Sequence, residues 1–428
     1  MLNGCYHMNN KSSTKDLSLS SNERLSIKNK SIFAPKKFEN YKPKGFKIYT
    51  FHAGFKKKFN DLLLIVFDEP AVSVNVYSRS STPSAPIIWD RKYNKGKVKS
   101  LIVNSGNANA HTGNKGIKII DQYVDYLLRI VNCKKSEILV SSTGVIGEFF
   151  NPNLITKAIS KINSQRPVKL IDAAKAIMTT DTYPKAVIKN IKINKTNFKI
   201  YGIAKGSGMI HPNMATMLVY IFIDAIVPKS ILNKLIKNNL EDTFNSISND
   251  SDTSTSDTLI LFSLKKTKIN FNTKKNFEIL NTGLFSVMKD LALKVVKDGE
   301  GLSKLLIVHV NKSRTKIQAK KIAFSIINSP LVKTAISGED ANWGRVIAAI
   351  GKSQEKINQN KIELYFGNNL ICKNGMVYNR LNLSKVNNYM KSKIIEISVR
   401  LNIGREKFTA YGNDLTHEYI RINAEYRS

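Results

Sequence analysis

The chain has 428 residues, 42% of them hydrophobic, and a formal net charge of +35. That length supports two domains of ordinary size, each with its own core. Cys5, Cys133 and Cys372 are far apart and form no Cys-x-x-Cys pair, which argues against a disulfide framework and suits a reducing, cytoplasmic setting. The longest apolar runs, Leu62–Phe67 and Met217–Ile223, fall far short of the ~20 residues a membrane helix needs. The basic residues are spread along the whole chain and crowd even the apparent connecting segments Lys189–Lys199 and Lys356–Ile362. That is compositional drift, without the interleaved aromatics or finger spacing of a nucleic-acid binder. No histidine pair has metal-ligand spacing, so no metal is expected.

In chain order, residues 1–40 are rich in Ser, Lys and Asn and poor in large apolar residues, and are expected to form a disordered extension. Leu62–Phe67 and Ala71–Tyr77 are predicted strands separated by a turn at Asp68-Glu-Pro70. Val98–Val103 is a strand running into Asn104-Ser-Gly-Asn-Ala-Asn-Ala-His-Thr-Gly113, small polar residues that let backbone approach a ligand. Ile117, Ile120, Val124, Leu127, Leu128 and Val131 recur at helical spacing. Ile138–Val140 is a short strand feeding Ser141-Ser-Thr-Gly-Val-Ile-Gly147. Further on, Leu232–Leu240 and Phe285–Val295 carry helical periodicity, the second ending at Gly299. Leu259–Leu264, Leu306–Val310, Ile395–Leu401 and Tyr419–Ile422 are predicted strands. Interleaved strands and helices imply an α/β or α+β class.

The segment Lys205-Gly-Ser-Gly-Met-Ile-His-Pro-Asn-Met-Ala-Thr-Met-Leu218 is the most informative in the chain. It places the hydroxyl of Thr216 at the mouth of an apolar strand. Cutting the Ala215–Thr216 bond gives Thr216 a free α-amine beside that hydroxyl, a nucleophile carrying its own base. A lone Thr opening an apolar strand is otherwise ordinary packing. Gly351-Lys-Ser353 is not the end of a phosphate-binding loop, because the glycine required five residues earlier is Val346.

Several other polar clusters stand at the ends of predicted elements, where sites are built. They include Ser142-Thr-Gly-Val-Ile-Gly-Glu148, Asp252-Thr-Ser-Thr255, Asp298-Gly-Glu-Gly301, Ser329–Ala335, Gly338-Glu-Asp340, Asn342-Trp-Gly-Arg345 and Arg421-Ile-Asn-Ala-Glu-Tyr426. With Asn104–Ala110 and Lys205–Leu218, this ordered set resembles the glutamate N-acetyltransferase family, also called ornithine acetyltransferase, of arginine biosynthesis. The resemblance runs from about Pro43 to Ser428.

The resemblance implies an α+β sandwich of two linked domains with mixed sheets, of the self-cleaving N-terminal-nucleophile type. It implies cleavage between Ala215 and Thr216 into an α chain, 41–215 after the extension, and a β chain, 216–428. Two copies of each would form a heterotetramer. Thr216 would take the acetyl group from N-acetylornithine and pass it to glutamate. Thr143 and Gly144 would supply the oxyanion donors. Thr179, Lys205, Thr216, Glu300, Asn423 and Ser428 would bind substrate, with Lys205 on a carboxylate and Glu300 on the side-chain ammonium of ornithine. No cofactor is implied, although acetyl-CoA is a possible second acetyl donor. The chain departs from the family's habit at His111 (often Cys), Ser251 (Gly), Ser256 (Asn) and Ser428 (Thr). The rival readings are an N-terminal-nucleophile amidohydrolase or aminopeptidase, which would lose acetyl to water without needing glutamate, and a nucleic-acid binder with a vestigial site.

Overall fold

A computed structural model of the chain describes residues 30–38, 40–211 and 217–425. Ala215, Thr216 and Ser428 lie outside the described residues. Two mixed sheets organise the fold. The first is built from β1 (Phe46–Phe51), β2 (Leu62–Tyr77), β3 (Lys97–Asn107), β4 (Ile138–Val145), β5 (Lys185–Ile193), β6 (Thr196–Lys205), β7 (Leu218–Ile226) and β8 (Thr258–Lys268). Its order is β4-β3-β2-β8-β7-β6-β5, with β1 on the first half of β2. The second contains β9 (Leu305–Ser313), β10 (Glu363–Phe366), β11 (Asn369–Lys373), β12 (Met376–Val377), β13 (Ile394–Arg400) and β14 (Glu406–Asn413), in the order β12-β11-β10-β13-β9-β14.

Helices α1 (Ala85–Tyr93), α2 (Gly113–Val131), α3 (Asn153–Ile159) and α4 (Leu170–Ala176) belong to the first half of the chain. Helices α5 (Lys229–Asn239) and α6 (Lys274–Val296) follow β7 and β8. Helices α7 (Lys316–Ile327), α8 (Pro330–Ser337), α9 (Trp343–Lys352), α10 (Leu383–Met390) and α11 (His417–Ala424) belong to the second sheet's half. This is the α/β architecture expected.

The first sheet is buried on both faces. Leu232, Leu235, Leu284, Met288 and Leu291 of α5 and α6 pack with Val219, Ile221 and Ile223 on one face. Phe67, Tyr201, Tyr220, Phe222 and Phe262 pack on the other. Strand β7 is therefore apolar on both sides, and Leu218–Ala225 is buried throughout, as strands covered on two faces are. It lies parallel to β8 and antiparallel to β6. Leu218, two residues after Thr216, is thus fixed inside the sheet.

Four sequence expectations are corrected. The strands predicted at 62–67 and 71–77 form one strand. The intervening residues are absorbed as a register shift between Val66 and Ala71, where β2 exchanges β1 for β8 as neighbour. Lys189–Lys199 is no connector: it lies in the β5–β6 hairpin, where Ile191 and Ile193 are buried and Lys192 is exposed, the alternation of a half-buried strand. Tyr419–Ile422 is helical, because Thr416 caps the run by accepting the Tyr419 N–H at 3.3 Å and Glu418 sits in the first turn. Within the extension expected to be disordered, Ser31 is anchored, its N–H donating to Thr182 Oγ1 at 3.0 Å. Strands β7 and β8 tie the part of the chain after Thr216 into the first sheet, before the second sheet begins at β9.

Candidate active site

Thr143 and Gly144 end β4, beside the parallel strand β3. Gly144 has φ +131°, and a Cβ there would lie 2.3 Å from the Gly106 carbonyl carbon. Only glycine lets the two backbones approach so closely. The Asn104–Gly113 run makes this bulged junction rigid. Asn104 Nδ2 donates to the Asn107 carbonyl at 2.8 Å, and Ser142 Oγ donates to Asn104 Oδ1 at 2.6 Å. This run, read from the sequence as a loop where backbone can approach a ligand, satisfies several of its own polar groups and sets Gly106 against Gly144.

Lys205 ends β6. Its Nζ donates to Thr143 Oγ1 at 3.2 Å, and both residues are buried. With its oxygen accepting from Lys205, the Thr143 hydroxyl keeps its proton for a further acceptor. Burial pulls the Lys205 pKa below its ordinary value, against the attraction of Asp181, Glu300 and Asp257.

Asp181 joins this corner to Thr179. One carboxylate oxygen accepts the Thr179 N–H at 3.0 Å; the other accepts the Gly206 N–H at 2.7 Å and Lys185 Nζ at 2.5 Å. Lys185 also reaches Asp298 at 2.6 Å. All three side chains of this cluster are fully buried. Burial alone would raise the Asp181 pKa, but Lys185, Lys205 and the Gly206 amide outweigh it and hold the group below the usual carboxylate range. Burial raises Asp298, whose backbone carbonyl also accepts the Ser207 hydroxyl.

Glu300 follows Asp298 and leans on Gly208. A Cβ at Gly208 would lie 2.6 Å from the Glu300 carboxyl carbon, so any side chain there would displace the carboxylate. Asn423 Nδ2, on α11, donates to Glu300 Oε2 at 2.9 Å. Thr179 and Glu300 line a cavity of about 240 Å³; Lys205 and Thr143 are not in its lining. The structure thus draws Thr143, Gly144, Thr179, Lys205, Glu300 and Asn423 around the turn 205–211, which precedes Ala215 and Thr216 in the sequence.

Sequence reasoning missed several residues that hold this turn. Asp250 accepts the Met209 N–H at 2.5 Å and the Ile210 N–H at 2.9 Å. Burial pushes its carboxyl up to about 6, against those bonds. Its neighbour Ser251 has φ +66°, which suits the glycine common there in the resembling family. Lys333, inside the Ser329–Ala335 motif, buries its ammonium against the Asn249 and Asn413 carbonyls at 2.7 and 2.5 Å. Asp257 is buried at the start of β8, where Thr258 donates to the Met217 carbonyl at 3.0 Å. The Met217 amide and Lys205 lie near enough to draw its pKa down against burial, which raises it far more. Among the described residues, none meets full hydrogen-bond geometry with either of its oxygens. Of these groups only Lys333 lay inside a motif read from the sequence; Asp250 and Asp257 flank the Asp252–Thr255 motif, and Lys185 had no signal. Among the described residues no group of metal-ligating side chains occurs, and no helix is long and apolar enough to cross a membrane.

The model of the ArgJ family matches residues 47–428. The arginine biosynthesis bifunctional protein ArgJ of Bartonella henselae is 42% identical over 390 residues, 90% of this chain and 95% of that protein. Its namesake in Rhizobium meliloti is 40% identical over 408 residues, 93% and 99% of the two chains. The solved ornithine acetyltransferase of Mycobacterium tuberculosis, complexed with ornithine, aligns over 41% of this chain and 94% of its own, with 25% identity and a TM-score of 0.33.

Proposed function

This chain belongs to the ArgJ family, and we propose that it cleaves itself at Ala215–Thr216 and moves the acetyl group of N-acetylornithine to glutamate through an acetyl-Thr216 ester. It is an acetyltransferase of arginine biosynthesis. The observation that carries the detailed reading is the Lys205–Thr143 contact beside Gly144 at the start of the turn, with Glu300, held by Asn423, against Gly208 within it. An oxyanion corner and an ammonium acceptor then flank the segment that delivers Thr216.

In self-cleavage, the Thr216 hydroxyl attacks the Ala215 carbonyl and the peptide nitrogen leaves as the Thr216 α-amine. Water then opens the ester, restoring the hydroxyl and releasing the Ala215 carboxylate. In turnover, the α-amine takes the hydroxyl proton as the oxygen attacks the acetyl carbon. An α-amine has an ordinary pKa near ~8, suited to that exchange. The acetyl C–N bond breaks, and ornithine leaves with the proton on its amine. The glutamate amine then attacks the Thr216 ester and departs as N-acetylglutamate. In both halves charge builds on the carbonyl oxygen, where the Thr143 hydroxyl and the Gly144 amide would donate. Lys205 polarises Thr143, and Glu300, held by Asn423, takes the ornithine ammonium. Thr179 and Ser428 complete the binding set. The working unit is a cytoplasmic heterotetramer of two α and two β chains. The bifunctional name of the curated relatives supports acetyl-CoA as a second acetyl donor to glutamate.

Intact mass measurement with N-terminal sequencing tests the reading. Two chains, the second beginning Thr216-Met-Leu, are expected, followed by glutamate-dependent acetyl transfer. A single chain that stays uncut on long incubation overturns the N-terminal threonine mechanism. Acetyl loss to water without glutamate would mark an amidohydrolase instead.

A further inference from the structure

The segment ahead of the family's matched region, which begins at residue 47, enters the cavity. Lys30, Ser31 and Ile32 line it together with Thr179–Thr182 and Gly299–Leu302. The arm is clasped at Ser31. Its N–H donates to Thr182 Oγ1 at 3.0 Å, its hydroxyl donates to the Lys297 carbonyl, and Phe33 beyond it packs on the core under α6. Thr182 and Lys297 are both tied to Asp298, the first through hydrogen bonds to its carboxylate and the second as its chain neighbour. The arm therefore rests on the same clasp that positions Glu300.

Of the three carboxylates that line the cavity, Asp181 is neutralised by Lys185 and Glu418 pairs with Arg421, which leaves Glu300 to receive an ammonium; Lys30 is the one cation among the described lining residues. Lys205, the expected carboxylate partner, is buried, turned onto Thr143 and absent from the lining. An amino-acid substrate brings carboxylate as well as ammonium. We propose that Lys30, held over the cavity by the Ser31 clasp, takes the carboxylate of the amino-acid substrate, making the N-terminal arm a specificity element of the site. This rests on the acetyltransferase reading above.

The test uses the full chain and steady-state acetyl transfer from N-acetylornithine to glutamate. Lys30→Ala should raise KM about 5-fold, the scale of one partly exposed charge pair, with kcat little changed. Lys30→Glu should raise it further, and Lys30→Arg should restore it. Ser31→Ala should raise KM in the same direction by loosening the clasp. KM unchanged in both Lys30→Ala and Lys30→Glu overturns the proposal. So does a lower melting temperature with KM unchanged, which would make the arm a structural strap. A wild-type protein with no turnover refutes the acetyltransferase reading, and amide exchange then decides on the arm. Slower exchange at residues 30–34 with ornithine or glutamate present supports its place in the binding wall; unchanged exchange overturns it.

Discussion

Gly144→Ala probes the oxyanion corner at its tightest point. The new Cβ would lie 2.3 Å from the Gly106 carbonyl carbon, 2.5 Å from its oxygen and 2.6 Å from the Asn107 nitrogen. All three are backbone atoms of β3, so no side chain can swing aside. Restoring the 3.4 Å of ordinary contact requires about 1 Å of separation between β3 and β4. The backbone conformation itself, φ +131°, costs a side-chain-bearing residue ~1–3 kcal/mol. A displacement of ~1 Å in a reacting constellation costs ~10²-fold in rate. Gly147→Ala is the internal control, since its φ is +86° but nothing lies within 4 Å of the added carbon. Thermal unfolding and acetyl transfer should be measured on both variants. Gly144→Ala should lower the melting temperature and cut kcat at least ~10²-fold, whereas Gly147→Ala should show only the strain cost, ~1–3 kcal/mol. Equal behaviour of the two variants, or wild-type turnover in Gly144→Ala, would refute the argument that backbone contact with β3 sets this corner.

Thr143→Ala should reduce kcat by ~10²–10³-fold with little change in KM; a loss below tenfold would remove Thr143 from the oxyanion role. Lys185→Met leaves the buried Asp181 and Asp298 facing each other without a cation, and should destabilise the fold by ~3–5 kcal/mol, read as a lower melting temperature. An unchanged melting temperature would mean that the cluster relaxes or takes up a proton at no cost. Asp250 sets a pH dependence. Its folded pKa of about 6 lies above the 3.8 of an ordinary aspartate, so between these the native state holds a proton the unfolded chain has lost. Stability from this group is therefore greatest below about pH 4 and falls by about 3 kcal/mol as pH rises through 6. Denaturant titrations of wild type and Asp250→Asn should differ in slope across that window, and parallel curves would contradict the shift.

The amino-acid sequence by itself determined the parts that depend on local stereochemistry. Gly144 and Gly208 are required wherever backbone or a carboxylate approaches within a Cβ's reach, so their motifs are visible without the fold. The unbroken apolar run Met217–Ile223 specifies a strand covered on two faces. The order of the clusters, from Asn104 through Thr143 and Lys205 to Asn423, was enough to name the family and nominate the site. Tertiary structure alone decided which charges matter. Lys185 is one of 67 basic residues, and only burial between Asp181 and Asp298 distinguishes it. Asp250 and Asp257 belong to a polar run that reads as a loop until the fold covers them. The Ser31 arm and the Glu300–Asn423 bond join residues more than a hundred positions apart. Periodicity and spacing report only on neighbours along the chain. A buried charge gains its role from partners that folding supplies and from water that folding removes, and neither is written locally.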